Sequence, residues 1–418
     1  MSLRFIRQAL AALVILAAST GPVLAQERPV ILVGIDGFRA DYLDRGLTPT
    51  LSRLAAEGAV AEGGMRPSYP TVTFPNFYTL ATGKHPDHHG LVYNTMRDPG
   101  LPGRTFTLRA RDEVMDRVWY DDAEPIWVSA ERAGVRAATV FWPGSEAAIG
   151  GVRPTYWLPF EQGVPSLSRV NILLGWFSLP PEERPRLATL YFDILDGAGH
   201  RFGPGSPEAD ATIVELDAAV AALLDGLEAR NIAANLVIVA DHGMAPISRD
   251  RVIMLDSLID ADAISPVALG PVATLDLVPG REAEVEAALL GARPEMECWR
   301  KGEVPERLVY GRHRRVPAIV CMARTGWYIG FAGRTDPEQI RGGAHGYDNA
   351  APEMRALFIA HGPDIAAGAV LPDMDSVDVQ PLLARLIGVP APQGDGRPVD
   401  KAAANARTDK GTDQRAGR

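Results

Sequence analysis

The sequence predicts an α/β fold, a three-layer helix–sheet–helix sandwich with a mostly parallel central sheet and a small inserted α+β unit. Apolar runs without polar alternation recur along the chain, and such runs are typical of parallel strands that helices cover on both faces. Helix-like segments separate the runs, so strand and helix alternate. Between about residues 257 and 341 this alternation is interrupted, which indicates the insertion.

Five apolar, β-branched segments are predicted as the buried strands of the central sheet. They are Val30–Ile35, Ala137–Phe141, Leu187–Ile194, Asn235–Ala240 and Ala356–Ala360. Between them, Thr48–Gly58 is predicted as a helix. Pro207–Ala229 is the clearest helix, because Ser206 is a suitable N-cap and proline is favoured at the first helical position.

The insertion has its own mixture of patterns. ATLDLVPG, RLVYG and AIVCMA resemble strands, and REAEVEAALLGA resembles a helix. Beyond about Pro390 the chain is rich in Ala, Gly, Asp, Lys and Arg without periodicity, which predicts a disordered tail over 390–418. Residues 26–389 are therefore expected to form the folded domain.

Residues 1–25 have the pattern of an export signal. Arg4 and Arg7 precede the apolar stretch Ala9–Ala18, and Val23-Leu24-Ala25 is a small-residue cleavage site. The apolar stretch is shorter than the ~20 residues of a membrane-spanning helix, and no other run is long and apolar enough to span. We therefore expect a secreted or periplasmic protein; an uncleaved anchor is the alternative.

Cys298 and Cys321 are the only cysteines in the chain. An even pair in an oxidising compartment most often forms a disulfide, and two buried free thiols are the alternative. The net charge of −10 comes without long acidic runs, so it predicts solubility and argues against a broad nucleic-acid-binding face. A nucleotide substrate is not excluded, since bound cations would dominate the field at a site.

Acidic and histidine side chains follow the predicted strands at the points where those strands end. The carboxyl ends of parallel strands share one edge of a sheet, and ligand sites form there, so we expect these side chains to converge. They are Asp36, Asp196, His200, Asp241, His242 and His345. Six such ligands suit two divalent ions better than one, and Asp/His sets without thiolate suit zinc, with manganese or cobalt possible.

Each of these motifs also has an ordinary structural explanation. Asp36-Gly37 and Asp241-His242-Gly243 are common turn sequences, and Asp196-Gly197-Ala198-Gly199-His200 could be a turn with a solvated histidine. The spacing of Asp196 and His200 occurs in helical zinc motifs, but the two glycines favour a flexible loop. Their joint occurrence at predicted strand ends favours metal binding.

The segment Pro70–Asn76 offers a hydroxyl beside a predicted helix start. Thr73 is predicted as the helix N-cap, with Pro75 in the first turn. A helix N-terminus favours a phosphate group, and a neighbouring cation would deprotonate the hydroxyl to a nucleophile. A plain capping threonine is the alternative.

Several sequence blocks together resemble the nucleotide pyrophosphatase/phosphodiesterase family of the alkaline phosphatase superfamily. They are GIDGFRADYL, PTVTFPNFYTLATGKHPDHHGLVYNTMRDP, DGAGHRFGP, ADHGM and GAHGYDN, with WRKGEVPERLVYG and ARTGWYI inside the insertion. The similar blocks run in the family's order from about residue 30 to 388.

The resemblance implies two Zn²⁺ ions and a nucleophile at Thr73. One zinc would be held by Asp36, Asp241 and His242 and bridged to Thr73. The other would be held by Asp196, His200 and His345. Asn94 would bind a phosphoryl oxygen, and Phe74 and Tyr191 occupy positions similar to those that stack on a nucleotide base; a buried strand residue is the alternative for Tyr191.

The implied activity is hydrolysis of nucleotide phosphodiester or pyrophosphate bonds to nucleoside 5′-monophosphates through a phosphothreonine intermediate. A phosphomonoesterase is one alternative, although such enzymes usually meet the extra charge with a bidentate arginine and the nucleophile segment Pro70–Asn76 has none. A lysophospholipid or choline-headgroup diesterase is another. A non-catalytic zinc-binding relative would not require the retained Thr73.

Overall fold

The computed structural model describes residues 28–399. The predicted signal segment 1–25 and residues 400–418 of the predicted tail lie outside the described residues.

In chain order the strands are β1 (Val30–Ile35), β2 (Ala59–Ala61), β3 (Thr95–Arg97), β4 (Thr105–Thr107), β5 (Ala137–Val140), β6 (Tyr156–Leu158), β7 (Leu187–Phe192), β8 (Asn235–Val239), β9 (Ala245–Pro246), β10 (Val252–Met254), β11 (Ile264–Ala268), β12 (Val272–Leu277), β13 (Gly291–Ala292), β14 (Met296–Arg300), β15 (Ile319–Ala323), β16 (Tyr328–Gly330), β17 (Gly343–Ala344), β18 (Phe358–His361) and β19 (Ala369–Leu371). The α-helices are α1 (Pro49–Glu57), α2 (Thr73–Thr82), α3 (Pro86–His89), α4 (Arg111–Met115), α5 (Ile126–Arg132), α6 (Ser166–Phe177), α7 (Ile194–Phe202), α8 (Pro207–Glu228), α9 (Glu282–Leu289) and α10 (Val379–Ile387).

The central sheet has eight strands in the order β19-β2-β18-β8-β1-β7-β5-β6. β1 lies between β7 and β8 and is parallel to both, whereas β18 is antiparallel to its neighbours β8 and β2. Every residue of β1, β7 and β8 is buried, as expected for strands covered on both faces. The predicted mostly parallel sheet is therefore confirmed, and the five predicted strands belong to it: Val30–Ile35 is unchanged, and the other four differ by one or two residues at their ends.

Helices cover both faces of this sheet. On one face α1 contacts β18, α6 contacts β5 and β7, and α8 packs against α1, α6 and α7. On the other face α10 contacts β1, α5 contacts β5, and both helices pack with α2. Ser206 caps α8 by accepting the N–H of Ala209 at 3.1 Å. The predicted three-layer sandwich is confirmed.

A second, antiparallel sheet lies within the range predicted as the insertion, with the strand order β11-β12-β15-β14-β13. Val285 and Leu289 of α9 pack into its apolar core. Cys298 and Cys321 are directly opposite each other on β14 and β15, and they form the predicted disulfide.

The strand predicted at RLVYG is wrong. The backbone there forms a short 3-10 helix, Glu306–Leu308, followed by Val309 at φ 45°. The next donors bond to a side chain and not to a neighbouring strand, because the Asp87 carboxylate accepts the N–H groups of Gly311, Arg312 and His313 at 2.8–3.0 Å. These hydrogen bonds attach the β14–β15 connection of the second sheet to α3.

Residues 390–399 are not the start of a disordered tail, because they contact the folded body. The Asp395 carboxylate accepts the His85 N–H at 2.8 Å and lies 2.7 Å from Nδ1 of His88. Gly396 donates its N–H to the Gly83 carbonyl that ends α2, and Arg397 pairs with Asp378. Local composition could not reveal these contacts, since their partners lie far away in the chain.

None of the helices found over residues 28–399 has the length and apolar character that a bilayer crossing requires.

Candidate metal centre

The six predicted ligands meet at the carboxyl edge of the central sheet. Asp36 directly follows β1, Asp241 follows β8 by two residues, and Asp196 lies in the first turn of α7 after β7. Because β1 lies between β7 and β8, these three carboxylates converge. His345 joins them through a short ladder in which β17 pairs with β9, just after His242.

Asp196, His200 and His345 form one group of potential ligands. Oδ1 of Asp196 lies 3.4 Å from Nε2 of His200 and 3.4 Å from Nε2 of His345. The two Nε2 atoms are 3.0 Å apart. All three atoms therefore surround one small volume.

The loop predicted for Asp196–His200 is wrong, because the segment is the helix α7. The i, i+4 spacing places Asp196 and His200 on one helical face. Gly199 lies where α7 packs closely against the segment after β8: a Cβ there would lie 3.0 Å from Cε of Met244, so this methionine would have to shift.

Asp36, Asp196 and His242 form a second group, so Asp196 belongs to both. Nε2 of His242 lies 3.6 Å from Oδ1 of Asp36 and 2.9 Å from Oδ2 of Asp241. The His242 and His345 rings stack with centroids 3.6 Å apart. The two groups are thus contiguous.

One oxygen of each carboxylate is buried and lacks a hydrogen-bond donor among the described residues: Oδ1 of Asp36, Oδ1 of Asp196 and Oδ2 of Asp241. Burial, followed by the charges of Asp241 and Asp196, raises the pKa of Asp36 well above its ordinary value. Burial likewise raises the pKa of Asp196. Buried carboxylates this close together need a compensating positive charge.

Backbone carbonyls orient the three imidazoles. Nδ1 of His200 lies 2.9 Å from the Gly343 carbonyl oxygen, and Nδ1 of His242 lies 2.9 Å from the Gly243 carbonyl oxygen. Nδ1 of His345 lies 2.8 Å from the Thr71 carbonyl oxygen. A carbonyl can only accept, so Nδ1 carries the proton and Nε2 presents a lone pair to the centre. This arrangement is typical of metal-binding histidines. The donor set therefore fits divalent cations.

Burial and proximity disfavour protonation of His345. Burial, together with the neighbouring His242 and His200, lowers its pKa well below the ordinary value. Burial also opposes a charge on His242, but the Asp241 carboxylate outweighs it and raises the pKa of His242. A neutral His345 keeps its Nε2 lone pair available as a ligand.

The predicted nucleophile lies beside the second group. Oγ1 of Thr73 is 3.5 Å from Nε2 of His242, and Thr73 is 8% exposed. Thr73 is the first residue of α2 and Val72 is its N-cap, so the predicted N-cap position is wrong by one residue. The contact of Oγ1 with His242 places the Thr73 hydroxyl on the side of the centre.

Asn94 and Phe74 are linked at the start of the same helix. Oδ1 of Asn94 accepts the Phe74 N–H at 2.9 Å. The half-buried Phe74 ring packs edge-on against Phe106, with centroids 5.4 Å apart. Both residues therefore lie beside Thr73, as the sequence predicts.

The predicted stacking role of Tyr191 is not supported by its surroundings. Tyr191 is 6% exposed, and its ring packs edge-on against Phe77 at 4.9 Å. Its hydroxyl donates to Oδ2 of Asp36 at 2.6 Å. Burial, then the Asp36 charge, raises the pKa of Tyr191 well above its ordinary value, so the phenol remains a donor.

Sequence reasoning missed the groups that orient the ligands. Besides Tyr191, the Gly37 N–H donates to Oδ1 of Asp241 at 3.2 Å. Thr71 accepts from His345 through its carbonyl and from the Gly346 N–H through Oγ1. Glycine and threonine next to a ligand are too common in sequences to have indicated these roles.

The fold and the site together define a three-layer α/β protein with a candidate metal centre at the carboxyl edge of its central sheet. The family model for type I phosphodiesterase/nucleotide pyrophosphatase matches residues 30–348. The chain belongs to this family.

Individual relatives are similar over most of the chain. An uncharacterized pyrophosphatase/phosphodiesterase of Schizosaccharomyces pombe is 36% identical over 381 residues, covering 88% of this chain and 78% of that protein. Human ectonucleotide pyrophosphatase/phosphodiesterase family member 5 is 33% identical over 376 residues, covering 90% of this chain and 77% of that protein.

A solved structure of murine ectonucleotide pyrophosphatase/phosphodiesterase 5 is similar to the whole fold. It superposes with a TM-score of 0.84 at 34% identity and covers 89% of this chain and 98% of that one. That structure is of an inactive threonine-to-alanine variant in complex with AMP.

Proposed function

We propose that the protein hydrolyses phosphodiester or pyrophosphate bonds of nucleotides and releases a nucleoside 5′-monophosphate. The observation that carries this proposal is the convergence of three unpartnered carboxylate oxygens and three Nε2 atoms beside the Thr73 hydroxyl. Such a set favours two divalent cations, with zinc preferred to manganese or cobalt for mixed Asp/His ligands. The murine relative in complex with AMP supports a nucleotide as the substrate.

In this proposal Asp36, Asp241 and His242 would hold one cation near Thr73. Asp196, His200 and His345 would hold the other, and Asp196 also lies in one group with Asp36 and His242. The bound cations supply positive charge that lowers the pKa of a coordinated hydroxyl and offsets the charge of a leaving oxygen.

Thr73 is the proposed nucleophile. Its Oγ1 attacks the phosphorus, a new P–O bond forms to Thr73, and the bond to the leaving oxygen breaks in line with the attack. Water then attacks the phosphothreonine, the Oγ1–P bond breaks, and the hydroxyl regains its proton. The inactive threonine-to-alanine variant of the murine relative supports a threonine in this role.

Two donors are available at the start of α2 for the equatorial phosphoryl oxygens. The Phe74 N–H is bound by Asn94, Pro75 has no N–H, and the Asn76 N–H donates to the Val72 carbonyl at 3.1 Å. The Thr73 N–H has no hydrogen-bond acceptor among the described residues, and the Asn94 amide nitrogen is the second candidate donor, since Oδ1 is bound by Phe74. These two donors form the proposed oxyanion site.

The half-buried Phe74 ring is the proposed contact for the nucleotide base, since it follows the nucleophile directly. Tyr191 is assigned to the metal centre instead, because its hydroxyl is bound to Asp36. We also propose that the protein is secreted or periplasmic. The export-signal pattern at residues 1–25, the Cys298–Cys321 disulfide and the ectonucleotide name of the human relative support this location.

A substrate panel on one purified sample tests the proposal. Bis(4-nitrophenyl) phosphate and 4-nitrophenyl phosphate share a leaving group, and we expect the diester to be cleaved faster. The 4-nitrophenyl ester of thymidine 5′-monophosphate should in turn exceed 4-nitrophenyl phosphocholine. Faster monoester cleavage would favour a monoesterase, and preference for the choline ester would favour a headgroup diesterase.

Metal analysis of the same sample completes this test. We expect about two divalent ions per chain, in line with the six ligands. A protein that binds metal but cleaves none of the four esters would instead be a non-catalytic relative.

A further inference from the structure

Tyr191, near the carboxyl end of β7, contacts one of the candidate ligands of the metal centre through its hydroxyl. Tyr191 is the register partner of Gly34 on β1, and Asp36 lies two residues further along β1. Partners on adjacent strands share a face, and so do residues i and i+2. Tyr191 and Asp36 are therefore on the same face, offset by two residues.

The offset matches the length of a tyrosine side chain. Two residues of strand span about 6.6 Å, so a Tyr191 ring lying along β1 brings its hydroxyl to the carboxylate. Gly34 leaves room for the Phe77 and Trp142 rings, because a Cβ there would lie 2.6 Å from Phe77 and 2.8 Å from Trp142. Phe77 in turn packs against the Tyr191 ring, at a centroid distance of 4.9 Å.

The hydrogen bond from Tyr191 divides the two oxygens of Asp36 between separate tasks. Oδ2 accepts the phenol at 2.6 Å, whereas Oδ1 is the buried oxygen without a donor and faces Nε2 of His242 at 3.6 Å. The Asp36 N–H is also bound to β7, at the Phe192 carbonyl. Asp36 is thus fixed to β7 by its backbone and its side chain.

A buried arginine anchors this end of β7. Nη1 of Arg169 donates to the Tyr191 carbonyl at 2.9 Å, and Nη2 lies 2.7 Å from Oδ1 of Asp193. Arg169 is 1% exposed, and its guanidinium lies 5.2 Å from the centre of the Phe141 ring. The strand end that carries Tyr191 is therefore held from α6 as well as by β1.

We propose that Tyr191 is a positioning residue for the metal centre, and that its hydroxyl holds Asp36 through Oδ2 so that Oδ1 is presented to a divalent cation. This inference rests on the proposed two-metal centre. Partners that orient a metal ligand typically contribute about 10- to 100-fold to metal affinity. Tyr191 acts through Asp36 and does not touch the substrate in this role.

The test compares Tyr191→Phe with the wild-type protein by titrating zinc into the metal-free proteins against a chromophoric chelator. We expect the ion held by Asp36 to bind about 10- to 100-fold more weakly in the variant. The ion held by Asp196, His200 and His345 should keep its affinity. Raising the zinc concentration should restore much of the lost activity, which a purely structural defect would not allow.

Tyr120→Phe is the matched control. Its hydroxyl is also buried and donates to the Val114 carbonyl at 2.8 Å, but it contacts no carboxylate. The same chemical change should leave both zinc constants unaltered. Melting temperatures of the two variants show whether each remains folded, and the visible spectrum of Co²⁺-loaded Tyr191→Phe reports ligand geometry independently.

The outcomes separate the inference from the proposed function. If wild type binds two ions and Tyr191→Phe binds both with unchanged constants and an unchanged Co²⁺ spectrum, the positioning role is wrong. If wild type itself fails to bind two ions, the two-metal proposal is wrong. Equal weakening in Tyr191→Phe and Tyr120→Phe would assign the effect to general destabilisation and would also overturn the positioning role.

Discussion

Nε2 of His200 and Nε2 of His345 face each other at 3.0 Å, although 145 residues separate them in the chain. In both rings Nδ1 donates a hydrogen bond to a backbone carbonyl. The Nε2 lone pairs of the two rings therefore point at each other. A shared cation would relieve the repulsion between these lone pairs. Two solvated histidines would not favour such a close approach of their Nε2 atoms. This contact joins α7, which carries His200, to the segment after β17, which carries His345.

Asp196→Asn should reduce metal retention more than His200→Ala. Asp196 belongs to both groups of potential ligands, whereas His200 belongs to one. We expect the first variant to lose most of both ions and the second to lose mainly one, measured as the metal-to-protein ratio after dialysis. His361→Ala is the control, since His361 pairs with Glu57 away from the centre. Equal losses in the two ligand variants would contradict the shared position of Asp196.

Thr73→Ala should abolish turnover and leave the metal content near that of wild type. The side chain is the proposed nucleophile, and removing a nucleophile that works with other groups lowers kcat by at least about 10³-fold. Thr73→Ser keeps a hydroxyl and should retain part of the activity. Steady-state kinetics and metal analysis of both variants check this. Full activity in Thr73→Ala would exclude the phosphothreonine intermediate.

Asn94→Ala should lower kcat by about 10²- to 10³-fold, the usual loss for one oxyanion donor. Asn94→Asp separates two roles of this side chain. It keeps an oxygen that can accept the Phe74 N–H but loses the amide donor. We expect it to be at least as impaired as Asn94→Ala in kcat, with the folded state unchanged. Near-normal kcat in Asn94→Asp would show that holding Phe74 is the role that matters.

Arg315→Met should destabilise the protein far more than Arg314→Met. Both arginines contact Oδ2 of Asp98, at 2.6 Å and 3.0 Å, but the side chain of Arg315 is 0% exposed and that of Arg314 is 49% exposed. Removing Arg315 leaves the buried Asp98 carboxylate with the exposed Arg314 as its remaining arginine and leaves the carbonyls of Gly90, Trp119 and Val118 without this donor. Breaking such a buried pair costs about 3–5 kcal/mol, whereas an exposed pair contributes at most about 1 kcal/mol. Urea unfolding measures both. Equal midpoints would contradict this difference.

The strands and the ligands could be predicted because local sequence determines them. A buried parallel strand must be apolar throughout, and its end is marked by the first charged residue, as at Asp36 and Asp241. The disulfide could be predicted from the compartment and the even number of cysteines. These properties do not depend on which distant segments lie nearby.

Other predictions failed where a distant partner overrides local preference. Asp196–His200 has two glycines, yet it belongs to the helix α7, in which Gly199 packs close to Met244. RLVYG resembles a strand, yet it forms a 3-10 helix, and the N–H of Gly311 donates to the Asp87 carboxylate. Neither partner can be identified from the segment itself.

By itself the sequence determined the layered α/β fold, the chemical types of the six candidate ligands and the hydroxyl beside them, because strand periodicity and side-chain chemistry are local. Only the tertiary structure decided that Asp196 lies in both groups of candidate ligands and that the Tyr191 hydroxyl donates to Asp36. Those assignments depend on strand order and register, which bring residues from different parts of the chain within a few ångströms.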